Sequence, residues 1–289
     1  MDLFSLAERK LSDLDFVAFD TEATGYSNFS DRLIEVAGVR FGRRGGAWTT
    51  LGEFAELIRP DRPIPQETID IHGITDALVA DAASAPPVLD RFFAFARDAV
   101  LVVHYAPSDM GLMAFAYARA GRDVPVAYAL DTFPLARKLF PGIARYSLED
   151  IALALALPAP SHRAMPDAVA TRALFEAAAT KLGVPEETPL GAVLEHNGPP
   201  VTLEEFSHIP LTLPELLAPV TEAMAASRDL TIAYRGGTKK GLPRRVTPSH
   251  YFARQGHVFL EGFCHLTKEM KSFRIDRIES VSLVQEAVS

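Results

Sequence analysis

The stretch FVAFDTEATGYSN, residues 16–28, constrains this chain more than any other, because a strand-length apolar run ends in two carboxylates, Asp20 and Glu22, just before Thr24 and Gly25. Side chains two apart on a strand share a face, so Asp20 and Glu22 converge at the strand's end unless a bulge intervenes. Two like charges repel strongly in a dry site. Either the pair leaves the core for solvent, or a cation sits between them, and carboxylate oxygens suit hard divalent ions.

Strand-like runs at Leu14–Phe19, Leu33–Phe41, Thr49–Ile58 and Val100–Val103, with the glycines of GRRGGAW fitting a hairpin turn, predict an early meander and then a further strand. From residue 86 the spacing becomes helical in PPVLDRFFAFARDA, SDMGLMAFAYARAG, TFPLARKLF, SLEDIALALAL and MPDAVATRALFEAAATKLG. Ser108 and Ser147 are expected N-caps, Ser147 with Asp150 three positions on, and Pro166 suits a first helical turn. This pattern implies an α/β architecture with helices packed on a mixed sheet. Residues 184–220 hold seven prolines, which excludes one long helix and marks a connector. Beyond it, LTIAYRG, RRVTPSHYFAR, HVFLEGFCH and SFRIDRIESVSLV read as four or five short strands, a small β-barrel or curled sheet. The expected division is residues 1–183, a connector at 184–221, and a C-terminal domain at 222–289.

At 289 residues and 48% hydrophobic, the chain has ample material for a core. No run approaches the roughly 20 apolar residues of a membrane-spanning helix, and MDLFSLAERKL is unlike a signal peptide, so the expected location is cytoplasmic with no membrane partner. The single cysteine, Cys264, cannot form an intramolecular disulfide and is expected to pack. The formal net charge of −8 is uneven: residues 229–277 carry ten Lys/Arg against four Asp/Glu. An acidic body repels nucleic acid unless cations intervene, whereas clustered Lys and Arg attract phosphate.

Further acidic residues sit at element edges. Asp109 follows the apolar run LVVHYAP in a helical first turn, and SHRAMPDA places His162 in a loop and Asp167 in the first turn of the last long helix. Helix N-termini favour negative charge, so capping alone accounts for either aspartate singly. Taken together, FDTEATG, VVHYAPSD and HRAMPDA, with IHGITD and YSLEDIALAL in support, resemble the DEDDh exonuclease family, to which the proofreading subunit of bacterial replicative polymerase belongs. The resemblance covers roughly residues 12–182 and implies a ribonuclease H-like mixed sheet flanked by helices. It implies that Asp20, Glu22 and Asp167 hold one metal ion, that Asp20 and Asp109 help hold a second, and that His162 is the general base. Two Mg2+ or Mn2+ ions can stabilise both the attacking and the leaving oxygen of a phosphodiester displacement, and imidazole accepts a proton near neutral pH. By the same resemblance Thr24, Gly25 and Tyr26 grip the terminal nucleotide, and His104 and Tyr105 lie on the substrate path. The family's usual Asn after the second-motif histidine is Tyr105 here, and its usual aromatic before the aspartate is Ser108. Tyr105 either contacts substrate or packs.

In the C-terminal region arginines alternate with aromatics, a mixture that suits phosphate contacts beside stacking surfaces. Residues from about 222 to 285 resemble a WYL domain, an SH3-like barrel found in bacterial regulators, through LTIAYRG, RRVTPSHYF, VFLEGFC and FRIDRIESV. Its naming tripeptide is degenerate, with Val258, Phe259 and Leu260 in place. The resemblance implies a module sensing nucleic acid or a nucleotide through Tyr234, Arg245, Arg274 and Arg277.

The reading that follows is a metal-dependent 3′-to-5′ exonuclease acting on single-stranded DNA 3′ ends, with RNA open. Its rivals are a catalytically silent nucleic-acid-binding regulator and a module docking on a polymerase or helicase through LTLPELLAPV, residues 211–220.

Overall fold

The computed structural model describes residues 3–28, 31–207, 214–226, 228–236 and 242–284. In chain order its elements are α1 (Leu3–Glu8), β1 (Asp15–Ala23), β2 (Leu33–Arg44), β3 (Ala47–Leu57), α2 (Gln66–His72), α3 (Asp76–Val79), α4 (Ala85–Phe95), β4 (Val100–Val103), α5 (Ala106–Arg119), β5 (Tyr128–Asp131), α6 (Thr132–Leu139), α7 (Leu148–Leu155), α8 (Ala164–Leu182), α9 (Leu190–Asn197), β6 (Val201–Thr202), α10 (Ala218–Ala225), β7 (Leu230–Tyr234), β8 (Arg244–Arg254), β9 (His257–Cys264), β10 (Glu269–Arg274) and β11 (Ile278–Leu283).

The first sheet runs β3-β2-β1-β4-β5-β6. The meander β1–β3 is antiparallel, β1/β4 and β4/β5 are parallel, and β6 closes the edge antiparallel to β5. Alternation along β1 sorts its side chains between two helical layers. Phe16 and Ala18 belong to the core shared with Phe175 of α8, whereas Val17 and Phe19 belong to the core shared with Phe92 of α4 and Met113 of α5. Asp20 and Glu22 therefore end the strand on the α8 face, and Thr21 ends it on the α5 face. The register shift in β1 falls after Glu22, so it leaves the pair together.

Two elements went beyond the periodicity. β5 is only four residues long, and α5 begins at Ala106 after a left-handed Tyr105 (φ 71°, ψ 68°), so the expected N-cap Ser108 lies inside the helix. Pairing with β4 holds β5, and one carboxylate at its end explains the early start of α5. Asp131, at the end of β5, accepts the backbone N–H groups of Tyr105 (2.9 Å), Ala106 (3.0 Å) and Phe133 (2.9 Å), tying together the starts of α5 and α6. Ser147 caps α7 as expected, accepting from the Asp150 N–H.

The second sheet is antiparallel in the order β10-β9-β8-β7-β11. The sequence allowed a barrel or a curled sheet; among the described residues it is an open sheet, with β10 and β11 at its edges and no pairing that closes it. Cys264 lies buried in its core. That core also takes in Leu217 and Val220 from the connector and Phe115 from α5. Of the connector segment LTLPELLAPV, residues 211–213 lie outside the described residues, and Leu216 is exposed. Further bonds join the two regions: Tyr251 N–H donates to Tyr26 O (3.1 Å), Gln255 N–H donates to Glu205 O (2.9 Å), and Arg254 pairs with Glu205 at 2.8 Å. Among the described residues no helix is long and apolar enough to cross a membrane.

Candidate nuclease active site

Asp20 and Glu22 at the end of β1 meet Asp167 in the first turn of α8, which packs across β1 and β2; one oxygen from each lies within 4.8 Å of the others. Burial and mutual repulsion disfavour their charged forms. Burial first, then Asp109 and Glu22, lift the Asp20 carboxyl well above its usual range. Burial and the Asp167 carboxylate lift Glu22 to about 8, and burial raises Asp167. Three hard oxygen donors at this separation fit a divalent cation such as Mg2+ or Mn2+.

Asp109 approaches from the other layer. Thr21 donates to its Oδ1 from both the backbone N–H (2.9 Å) and the hydroxyl (2.7 Å), and burial nevertheless raises its pKa to about 7. Asp109 acts on Asp20 electrostatically but lies outside the group of three.

His162 holds a left-handed backbone (φ 54°) in the loop before α8, its side chain about half exposed and Nε2 3.9 Å from Glu149 Oε1. It borders two adjoining compartments. The larger, about 680 Å³, is lined by Asp20, Asp109, Tyr105, Tyr146 and Glu149 among others; the smaller, about 310 Å³, by Glu22, Gly25, Tyr26 and His72.

The loop after β1 is held from beneath. Asp31 accepts from the Thr24 hydroxyl (3.1 Å) and the Ser27 N–H (3.0 Å), and a Cβ on Gly25 would come within 2.6 Å of its carboxylate, so the close approach at Gly25 is that of Asp31. Tyr26 remains 38% exposed, with its ring available to the cleft.

The other residues expected at the substrate path sit differently. His104 is held in place, its Nε2–H donating to the Tyr146 carbonyl (3.0 Å) and its Nδ1 facing Thr132 Oγ1 (2.9 Å), and it borders the larger compartment. Tyr105 packs edge-on against Phe133 (5.5 Å) and Phe252 of β8 (5.9 Å), with its hydroxyl turned to Glu261 of β9, so the ring joins the two regions. Tyr234 is buried edge-on against Phe273. Arg245 pairs with Asp229, Arg274 forms a fork to Asp276 (2.7 and 3.1 Å), and Arg277 is exposed. None of these four lines the carboxylate cleft.

Glu35 escaped the sequence reading. It stands opposite Glu22 in the β1/β2 ladder and is buried, and it accepts from Arg163 (2.7 and 3.0 Å) and from the Ala164 N–H (2.9 Å), fixing the α8 start that carries Asp167. A carboxylate inside an apolar strand was the available signal, but its partner lies 128 residues away.

Comparison with known proteins agrees with this geometry. A family model described as Exonuclease (RNase_T) matches residues 17–175, and the WYL domain model matches residues 215–283. A DNA polymerase III subunit epsilon-like protein of Rhodobacter capsulatus is 38% identical over 199 residues, covering 66% of this chain and 27% of its own length, so this chain spans about a quarter of that relative. The DNA polymerase III subunit epsilon of Treponema pallidum is 34% identical over 163 residues, 55% of this chain and 74% of that protein. Among solved structures, cell-death related nuclease 4 shares the fold with a TM-score of 0.50 at 13% identity, over 57% of this chain and 64% of that one.

Proposed function

The chain belongs to the exonuclease family through residues 17–175, and from that premise we propose that it hydrolyses phosphodiester bonds stepwise from the 3′ ends of single-stranded nucleic acid, with DNA as the polymer. The observation that carries this reading is the grouping of Asp20, Glu22 and Asp167 within 4.8 Å, with Asp109 and His162 on the same cleft. Relatives named as DNA polymerase III subunits support DNA over RNA.

In this reading the three grouped carboxylates hold one divalent cation, and Asp20 with Asp109 helps hold a second. When bound, two such cations lower the barrier by stabilising the attacking and leaving oxygens. His162 takes a proton from the attacking water as the water oxygen bonds to phosphorus, and the bond from phosphorus to the 3′ oxygen of the preceding nucleotide breaks. The Glu149 carboxylate lies 3.9 Å from His162 Nε2, on the same cleft. Tyr26 offers its ring to the base of the terminal nucleotide, on a loop that Thr24 and Gly25 seat against Asp31. Ligand sensing by the C-terminal domain is a finer part of the reading, supported by the WYL match.

The test is incubation of 3′- and 5′-labelled single-stranded DNA and RNA oligonucleotides with Mg2+, Mn2+ or chelator, beside Asp20→Ala. Metal-dependent shortening from the 3′ end, lost in the variant, is expected. A folded protein that binds oligonucleotide but shortens none under any condition would instead be a regulator.

A further inference from the structure

The C-terminal sheet reaches the carboxylate cleft through one irregularity. In the β8/β9 ladder Thr247 stands opposite Phe263 and Pro248 opposite Gly262, and pairing resumes with residue 250 opposite Glu261, leaving Ser249 as the extra residue of a bulge. A bulge bends its strand and re-aims the side chain it carries. Ser249 is exposed and borders both compartments, facing the cleft that holds Glu22 and His162 and the one that holds Asp20 and Asp109. Gly262 permits the arrangement, since a Cβ there would lie 2.5 Å from the Thr247 carbonyl oxygen and 3.0 Å from Pro248 Cα.

Phe263 and Met270 of the same sheet line the larger compartment together with Phe133 and Tyr146 of the nuclease body. The wall is fixed in place, because Phe115 of α5 enters the C-terminal core and Tyr105 meets Phe252 and Glu261. A scissile phosphodiester has a nucleoside on each side. With His162 lining both compartments, Glu22 the smaller and Asp20 and Asp109 the larger, each compartment can take one nucleoside, and 680 Å³ lies within the roughly 300–1,000 Å³ of pockets that enclose a small molecule.

We propose that Ser249, Phe263 and Met270 form a substrate-contact surface, contributed by the C-terminal domain, that receives the nucleoside preceding the scissile bond of a single strand. The proposal rests on the exonuclease reading. The aromatic ring and the thioether offer a face to any base, so the contact favours an unpaired nucleotide without reading its identity.

The test uses the full chain with Mg2+ and a short single-stranded DNA oligonucleotide, following both turnover and, by fluorescence anisotropy, binding of the same oligonucleotide with a cleavage-resistant phosphorothioate end. Phe263→Ala is expected to raise KM and the dissociation constant about 10-fold, since losing one stacking contact weakens binding on that scale, with kcat within about 2-fold as for loss of uniform binding. Ser249→Trp, filling the junction, is expected to lower kcat/KM by a similar factor. Met270→Ala serves in place of Phe263→Ala should that variant fail to fold. Unchanged KM and affinity in folded variants, with wild-type turnover intact, would overturn the wall while leaving the exonuclease reading in place. Absence of wild-type turnover, with binding still weakened by Phe263→Ala, would overturn the exonuclease reading and leave the wall.

Discussion

The nuclease body and the C-terminal sheet treat charge in opposite ways. In the body, Asp20, Glu22, Asp109 and Asp167 are gathered at element ends, and burial raises every one of them. In the sheet, Arg245 pairs with Asp229, Arg274 with Asp276 and Lys271 with Glu269; the lysine holds the Glu269 carboxyl below its usual range and the Arg274 guanidinium does the same for Asp276. By composition the basic sheet looked like the phosphate-binding half of the molecule. Charge already matched by a neighbour has little left for a ligand, whereas charge held buried without one has a use or a cost.

The largest effect that separates the two regions is expected at the cluster. Asp20→Asn keeps the shape and removes one carboxylate, and is expected to lower kcat at least ~10³-fold. In the metal-free protein the same change relieves repulsion, so the melting temperature at pH 8 is expected to rise by ~3 °C or more. Loss of both activity and stability would mean that the cluster is a structural element and would break the comparison. A smaller loss, ~10–100-fold in apparent Mg2+ affinity or kcat, is expected for Glu35→Gln, which loosens the Arg163 fork that sets Asp167. A Mg2+ titration of activity reads it.

The metal-free protein should also show the cluster in its pH dependence. Glu22 rises from 4.5 to about 8 and Asp109 from 3.8 to about 7 on folding, so between those limits the folded state binds more protons than the unfolded chain. Stability contributed by the protonated forms is present at low pH and is lost as pH rises through about 4 to 8. Thermal melts in chelator are expected to show a falling melting temperature across that window. Added Mg2+ should reverse the fall at its upper end, since only the deprotonated ligands bind it. A flat profile would show that the carboxylates are already compensated.

Much of this was legible in the chain itself. The meander, the four or five strands of the second sheet and the long helices follow from periodicity, and the grouped carboxylates were picked out by the motifs FDTEATG, VVHYAPSD and HRAMPDA that carry the family resemblance. What was hidden depends on distant partners. β5 is too short to carry a pattern and exists by pairing with β4, and the early start of α5 depends on Asp131 lying 25 residues beyond Ala106. Glu35 gains its role from Arg163. Phe115 reads as a residue of the nuclease helix and packs in the other core. Arginines show their charge in a sequence but not the carboxylates that neutralise them.

That last point yields the smallest expected effect. Arg274 stands on the basic strand where a phosphate contact is expected from composition, yet its guanidinium is forked to Asp276 on the surface, away from the carboxylate cleft. Exposed pairs of this kind contribute little, so Arg274→Ala is expected to move the melting temperature by no more than ~2 °C. A phosphate contact would show itself as a salt effect, because each one lost reduces the slope of log affinity against log salt by ~0.7 on a single strand. For Arg274→Ala that slope is expected to stay unchanged, with kcat/KM within about 2-fold of the parent. A reduced slope would mean that nucleic acid displaces Asp276 from Arg274, and that pair would then be a reserve released by substrate rather than a bond closed on itself.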